Sequence, residues 1–134
     1  MTVYVDSSAL IKRYVEEVES ETAEALLGAD PDLVTARHSY IEIVLALHRR
    51  LADDARRAAM AAFEADWHRM YLVALDETVY RRAAELGVVV GTRTLDALHL
   101  AAAERAGGRS LPVVTFDLRL AEAALRLGFA VLGV

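Results

Sequence analysis

The sequence predicts an α/β fold with a central parallel sheet of about five strands. Two observations carry this. Short apolar runs rich in β-branched residues alternate along the chain with stretches whose apolar residues recur at helical spacing. Such alternation, strand then helix throughout, is the pattern of parallel strands joined by helical crossovers. A third observation bears on function. The first and the fourth of these runs each stop at an acid, Asp6 and Asp117. In open α/β sheets, ligand chemistry collects at the carboxyl ends of the strands.

The elements follow in order. Val3-Tyr4-Val5 reads as a buried strand, and Ser7–Val15 as a helix with Leu10, Ile11 and Tyr14 on one face. After an acidic run at Glu16, Glu17 and Glu19, a helix spans about Ser20–Leu27 and stops at Gly28. Asp30-Pro31 marks a turn before a second strand, Leu33-Val34-Thr35. Arg37–Arg50 is helical, with Tyr40, Ile41, Val44, Leu45 and Leu47 apolar. Asp53-Asp54 opens a helix to about Arg69, where acids suit the positive end of the helix dipole. Tyr71–Leu75 is the third strand. Thr78–Leu86 is a helix stopped by Gly87, which leaves Val88-Val89-Val90-Gly91 as a connection. Thr94–Arg105 is a helix ended by Gly107-Gly108. Val113–Phe116 is the fourth strand, Leu118–Leu127 a helix stopped by Gly128, and Phe129–Leu132 a last strand.

The 134 residues suit one domain over 1–134, and 55% hydrophobic content supplies a sizeable core. The chain has no cysteine, which excludes disulfides, thiolate catalysis and cysteine-based zinc sites. No signal-peptide pattern opens the sequence and no apolar run reaches the ~18 residues of a membrane span. A soluble cytoplasmic domain with no membrane partner is the expectation. The net charge of −5 argues against simple electrostatic binding of a phosphate backbone, although bound cations would offset clustered acids locally.

Four acids occupy positions that can converge: Asp6 and Asp117 at strand ends, Glu42 and Asp96 early in helices starting at the same sheet edge. Taken singly, each has a plainer reading. Asp6 suits a helix N-cap, Asp117 a turn, Asp96 a charge at a helix N-terminus and Glu42 a solvated helical acid. Taken together in apolar surroundings, such acids repel one another and resist desolvation. A hard divalent cation relieves both problems, and carboxylates are the ligands Mg²⁺ and Mn²⁺ prefer. Such ions activate water and stabilise the leaving oxygen of a phosphodiester. The economical reading is a metal-dependent nuclease, with Asp6, Asp96 and Asp117 as ligands and Glu42 completing the shell directly or through water.

The segments VYVDSSALIKRY, SYIEI, RTLDALHLAAA and VVTFDLRLAEAA resemble, in order, the four motif blocks of PIN domains, particularly the VapC-type toxins of prokaryotic toxin–antitoxin pairs. The resemblance spans almost the whole chain. It implies a PIN-like three-layer α/β/α fold and an endoribonuclease using Mg²⁺ or Mn²⁺. It implies products with a 5′-phosphate and a 3′-hydroxyl, and neutralisation by a VapB-type antitoxin. The family's acidic positions fall on Asp6, Glu42, Asp96 and Asp117. Its small hydroxyl residue two before the last acid falls on Thr115, as a residue orienting a carboxylate. Ser7 matches the polar position after the first acid. A homodimer is expected by the same resemblance, with apolar helix faces near Leu10–Tyr14 and Ala58–Trp67 available to it.

Other residues keep two readings. His38 and Glu42 are spaced i, i+4, and Asp96 and His99 i, i+3, so each pair can share a metal; packing or a hydrogen bond is the default. Without a third nitrogen ligand or cysteine, zinc is poorly supported. His48 and His68 read as surface residues. Arg93, Arg37 and Arg119 are candidate contacts to RNA phosphate or to an antitoxin, or else pair with the acids. Trp67, Phe63 and Met60 read as core or a partner groove. A receiver domain would need an acidic pair after strand one and a late lysine; Lys12 is the only lysine. A phosphatase of the haloacid dehalogenase type needs an acid where Ser8 stands, and a serine hydrolase needs a Gly-x-Ser-x-Gly elbow. The remaining rival is a PIN-like protein-binding module without turnover.

Overall fold

The computed structural model describes residues 3–28 and 32–134. Strand β1 (Tyr4–Val5) leads into a short helix α1 (Ser7–Leu10), continued by a 3₁₀ turn over Ile11–Arg13. Helix α2 (Ser20–Leu27), strand β2 (Val34–Ala36), and helices α3 (Ser39–Arg50) and α4 (Asp53–Trp67) follow. Then come β3 (Tyr71–Val73), α5 (Glu77–Val90), α6 (Thr94–Gly107), β4 (Val113–Thr115), α7 (Leu118–Arg126) and β5 (Val131–Gly133). All strand pairings are parallel, in the order β3-β2-β1-β4-β5. The strand order reverses beside β1, so β1 and β4 flank the switch point where α/β sheets open a crevice.

Side chains of successive strand residues point to opposite faces, and this splits the core into two layers. Tyr4, Val34 and Val113 pack on one face against Val79 and Leu86 of α5, Leu98 and Ala102 of α6, and Leu120 of α7. Val5 and Val114 pack on the other against Leu10, Ile43 and Leu47, and Phe63 and Trp67 of α4. The architecture is therefore α/β/α in three layers. No single helix among the described residues is long and apolar enough to cross a membrane.

Several boundaries differ from the sequence reading. The first helix stops at Leu10 and tightens into the 3₁₀ turn rather than running to Val15. The last strand begins at Val131, because Phe129 is buried in the core instead of pairing. Gly87 does not stop α5. The helix runs on through Val88, Val89 and Val90, and Gly91, at φ +71°, is the left-handed residue that ends it. Gly87 sits inside the helix for packing: a Cβ there would lie 3.3 Å from Ala97 Cβ on α6. The Asp30-Pro31 turn lies outside the described residues. The faces expected to serve self-association are internal to the chain. Leu10, Ile11, Phe63 and Trp67 are all buried, so they belong to the core.

Candidate metal centre at the carboxyl edge of the sheet

The fold brings the four acids to one edge. Asp6 directly follows β1, and Asp117 follows β4 by two residues. Glu42 and Asp96 lie in the first turns of α3 and α6. Thr35, fully buried on β2, fixes the start of α3. Its hydroxyl is 2.7 Å from Val5 O and 2.7 Å from Ser39 Oγ.

Asp6 is 2% exposed. Burial raises its pKa, while three donors and His99 work the other way. The donors are Ser8 Oγ, bifurcated onto Oδ1 and Oδ2 at 2.8 and 2.9 Å, Thr115 Oγ1 onto Oδ2 at 2.6 Å, and the Ala9 amide at 3.0 Å. The Ser8 and Thr115 oxygens also lie 3.2 Å apart. Each hydroxyl has a single proton, and both protons are committed to Asp6. Ser8 Oγ accepts from the Phe116 amide at 2.9 Å and Thr115 Oγ1 from the Asp117 amide at 3.0 Å. These bonds lock the end of β1 to the end of β4.

Asp117 caps α7, its Oδ1 accepting from the amides of Arg119 and Leu120 at 2.9 and 3.3 Å. Asp96 is half-buried. Burial and then the charge of Asp117 raise its pKa, with Glu42 adding to the rise and Arg93 and His99 opposing it. Burial works against the charge on Glu42 too. Hydrogen bonds from His99 and Ser7 and the two nearby imidazoles prevail and hold its pKa below the usual range. Asp96 thus feels the charges of both Asp117 and Glu42 across a partly dry edge, the kind of repulsion a divalent cation resolves.

The histidines stand differently from their sequence spacing. His99 Nε2 is 3.0 Å from Glu42 Oε1, and its Nδ1 is 2.7 Å from the buried Tyr4 hydroxyl. His38 Nε2 lies 3.6 Å from the same Glu42 oxygen, with its ring centroid 4.1 Å from that of His99. Burial, then His99, pushes the His38 pKa down to about 4. Both histidines therefore gather on Glu42, and the bond partners of His99 are Glu42 and Tyr4 rather than Asp96. His48 and His68 are exposed, each within reach of a carbonyl of its own helix.

Arg93, Arg119 and Arg126 line a cleft of about 290 Å³ together with Asp96 and Glu122. Arg37 is exposed just after β2. Ser7, Glu42, Leu45, Arg49 and Leu95 line a second groove of about 320 Å³. Ser8 and Tyr4 belong to the site although the sequence reading did not single them out. Each carried a signal. Ser8 is a hydroxyl two residues past a strand-end acid, and Tyr4 carries a hydroxyl into an apolar strand, where it needs a partner.

The family model of the PIN domain matches residues 3–125. The chain is 34% identical over 130 residues to Ribonuclease VapC46 of Mycobacterium tuberculosis, covering 97% of this chain and 95% of that one. Among solved structures it is similar to the Mycobacterium tuberculosis toxin VapC20, described as cleaving the sarcin-ricin loop. The TM-score there is 0.73 at 21% identity, over 91% of this chain and 95% of the other. It is also similar to a chain of a toxin–antitoxin complex from Klebsiella pneumoniae, with TM-score 0.66 and 15% identity over 87% of each. The motif resemblance and the family match agree.

Proposed function

The chain belongs to the PIN-domain family, and from that premise we propose that it is a VapC-like toxin, an endoribonuclease that uses Mg²⁺ or Mn²⁺ to hydrolyse RNA phosphodiester bonds. One observation carries the reading. Asp6 is a buried carboxylate held by three donors at the switch point of a parallel sheet, one of them, Thr115, also bonded to the Asp117 amide. A structural N-cap needs only the Ala9 amide bond. The hydroxyls of Ser8 and Thr115, and the proximity of Asp96 and Asp117, go beyond capping.

Asp6, Asp96 and Asp117 would hold the ion, and Glu42 would complete the set directly or through water. When bound, such an ion would supply a water of lowered pKa and positive charge against the negative charge that develops at the phosphate. The residues of the chain do the rest. Ser8 and Thr115 fix the orientation of the Asp6 carboxylate, as outer partners of a metal ligand do. His99 and Ser7 keep Glu42 ionised. Arg93 and Arg119 face the cleft beside Asp96, where a phosphate of the RNA would sit between guanidinium groups. Arg37, exposed just after β2, is a further candidate contact to RNA phosphate.

A VapB-type antitoxin and a second copy of the chain are the partners in this reading. The groove beside Glu42 supports the first. Exposed Leu45 and Leu95 and the charge of Arg49 suit a segment carrying apolar and acidic side chains. The test is cleavage of a panel of structured RNAs by the purified chain freed of antitoxin. Cleavage in Mg²⁺ or Mn²⁺, lost in excess EDTA and in Asp6→Asn, is expected. Undiminished cleavage in EDTA or in that variant would refute the reading.

A further inference from the structure

We propose that His38, Glu42 and His99 form a second cation site, one that takes a nitrogen-preferring transition ion such as Zn²⁺ and shares Glu42 with the carboxylate set. The three side chains each offer a ligand atom, and these atoms lie within 4.8 Å of one another. The two distances to Glu42 Oε1, 3.6 Å from His38 Nε2 and 3.0 Å from His99 Nε2, bracket the separation of about 3.4 Å between ligands on a tetrahedral ion. Two imidazoles and one carboxylate suit Zn²⁺ and its neighbours, whereas Mg²⁺ takes oxygen.

Two further features point to a ligand. The His38 side chain is 9% exposed, and neither ring nitrogen makes a well-formed hydrogen bond: its polar neighbours are Glu42 Oε1, 3.6 Å from Nε2, and the backbone of Leu95. Buried polar atoms are ordinarily partnered, so this ring lacks what a bound ion would supply to one nitrogen. His99 is set up as a ligand in the complementary way. Its Nδ1 meets the buried Tyr4 hydroxyl at 2.7 Å, which fixes the ring with Nε2 toward Glu42. Metal-binding histidines are commonly oriented by such a partner on the other nitrogen. A hydrogen-bonded network alone accounts for Tyr4, His99 and Glu42 but leaves the buried His38 ring with only weak contacts to Glu42 and the Leu95 backbone.

On the nuclease reading, an ion held here draws Glu42 away from the carboxylate set, so Zn²⁺ acts as an inhibitor. The site itself does not depend on that reading. The test is titration of the full chain with Zn²⁺ alone, followed by the ring resonances of its histidines. The His38 and His99 signals should shift together and saturate at one equivalent, with His48 and His68 as internal references. Tyr4→Phe should weaken binding about tenfold to a hundredfold, and His38→Gln by at least as much. If Zn²⁺ moves only the exposed histidines, or binds Tyr4→Phe as tightly as the parent, the inference fails. Zinc binding in a chain that cleaves no RNA would sink the nuclease reading alone. Cleavage with unmoved rings would sink this inference alone.

Discussion

Thr115→Val removes one hydroxyl and almost no volume from a fully buried position. That hydroxyl makes two bonds, donating to Asp6 Oδ2 at 2.6 Å and accepting from the Asp117 amide at 3.0 Å. A bond to a charged group contributes about 1.5–3 kcal/mol, and a buried amide left unmatched costs about 1–3 kcal/mol. Asp117 is only half-buried, so water can reach part of that amide, and the combined loss should be about 2–4 kcal/mol. For a domain of this size that lowers Tm by roughly 6–14 °C. Thr115→Ser is the control. It keeps both bonds and loses one buried methyl, a cost of about 1 kcal/mol. Denaturant unfolding at pH 7 in EDTA compares the two variants without any metal contribution. In the cleavage assay, Thr115→Val should also need about tenfold to a hundredfold more Mg²⁺ for half-maximal rate, because the Asp6 carboxylate is no longer fixed. Equal stability of the valine and serine variants, within about 0.5 kcal/mol, would refute the account of how Asp6 is held.

Two further predictions concern charge. The Asp96 pKa is raised by burial and by Asp117, so its ionisation penalises the fold above that pKa and not below the unfolded value of about 3.9. Asp96→Asn should therefore abolish cleavage yet be more stable at pH 7 without divalent ions, by about 1 kcal/mol at most given its partial exposure, an advantage that fades as pH falls toward 4. Unfolding curves at pH 4 and pH 7 read this directly. Glu104 has the opposite sign. The hydrogen bond from Arg82, against partial burial and helped by Arg109, holds its pKa below the usual range. Its contribution is present above the unfolded value of about 4.3 and is lost as pH falls through the lower folded value. Glu104→Gln should cost about 1 kcal/mol at pH 7 and progressively less as pH falls through the lowered folded value, with RNA cleavage unchanged.

The parallel α/β layout was legible because each strand is a short β-branched run and each crossover a periodic one. The gathering of Asp6 and Asp117 followed from strands one and four being neighbours, as they are. The plainer reading of Asp6 as an N-cap holds as well, and Asp117, read singly as a turn residue, is instead an N-cap too. Helical periodicity could not reveal that α5 continues past Gly87, since that glycine answers to Ala97 on another helix. Spacing paired His99 with Asp96, but the packing of α6 on β1 and α3 turns it toward Tyr4 and Glu42. Contacts between elements of this kind are set by tertiary packing, which local pattern does not encode. Local pattern likewise left the apolar faces near Leu10–Tyr14 and on α4 open between core and a partner surface, and their packing on one another and on Val5 and Val114 makes them core.

The central claim is that Asp6, Asp96 and Asp117 together hold a divalent cation. Diffraction at the manganese edge from crystals of the chain soaked in Mn²⁺ tests it most directly. The account predicts an anomalous peak about 2.0–2.4 Å from a carboxylate oxygen of each of the three. Mn²⁺ bound elsewhere, with these three carboxylates ordered and free of it, would contradict it.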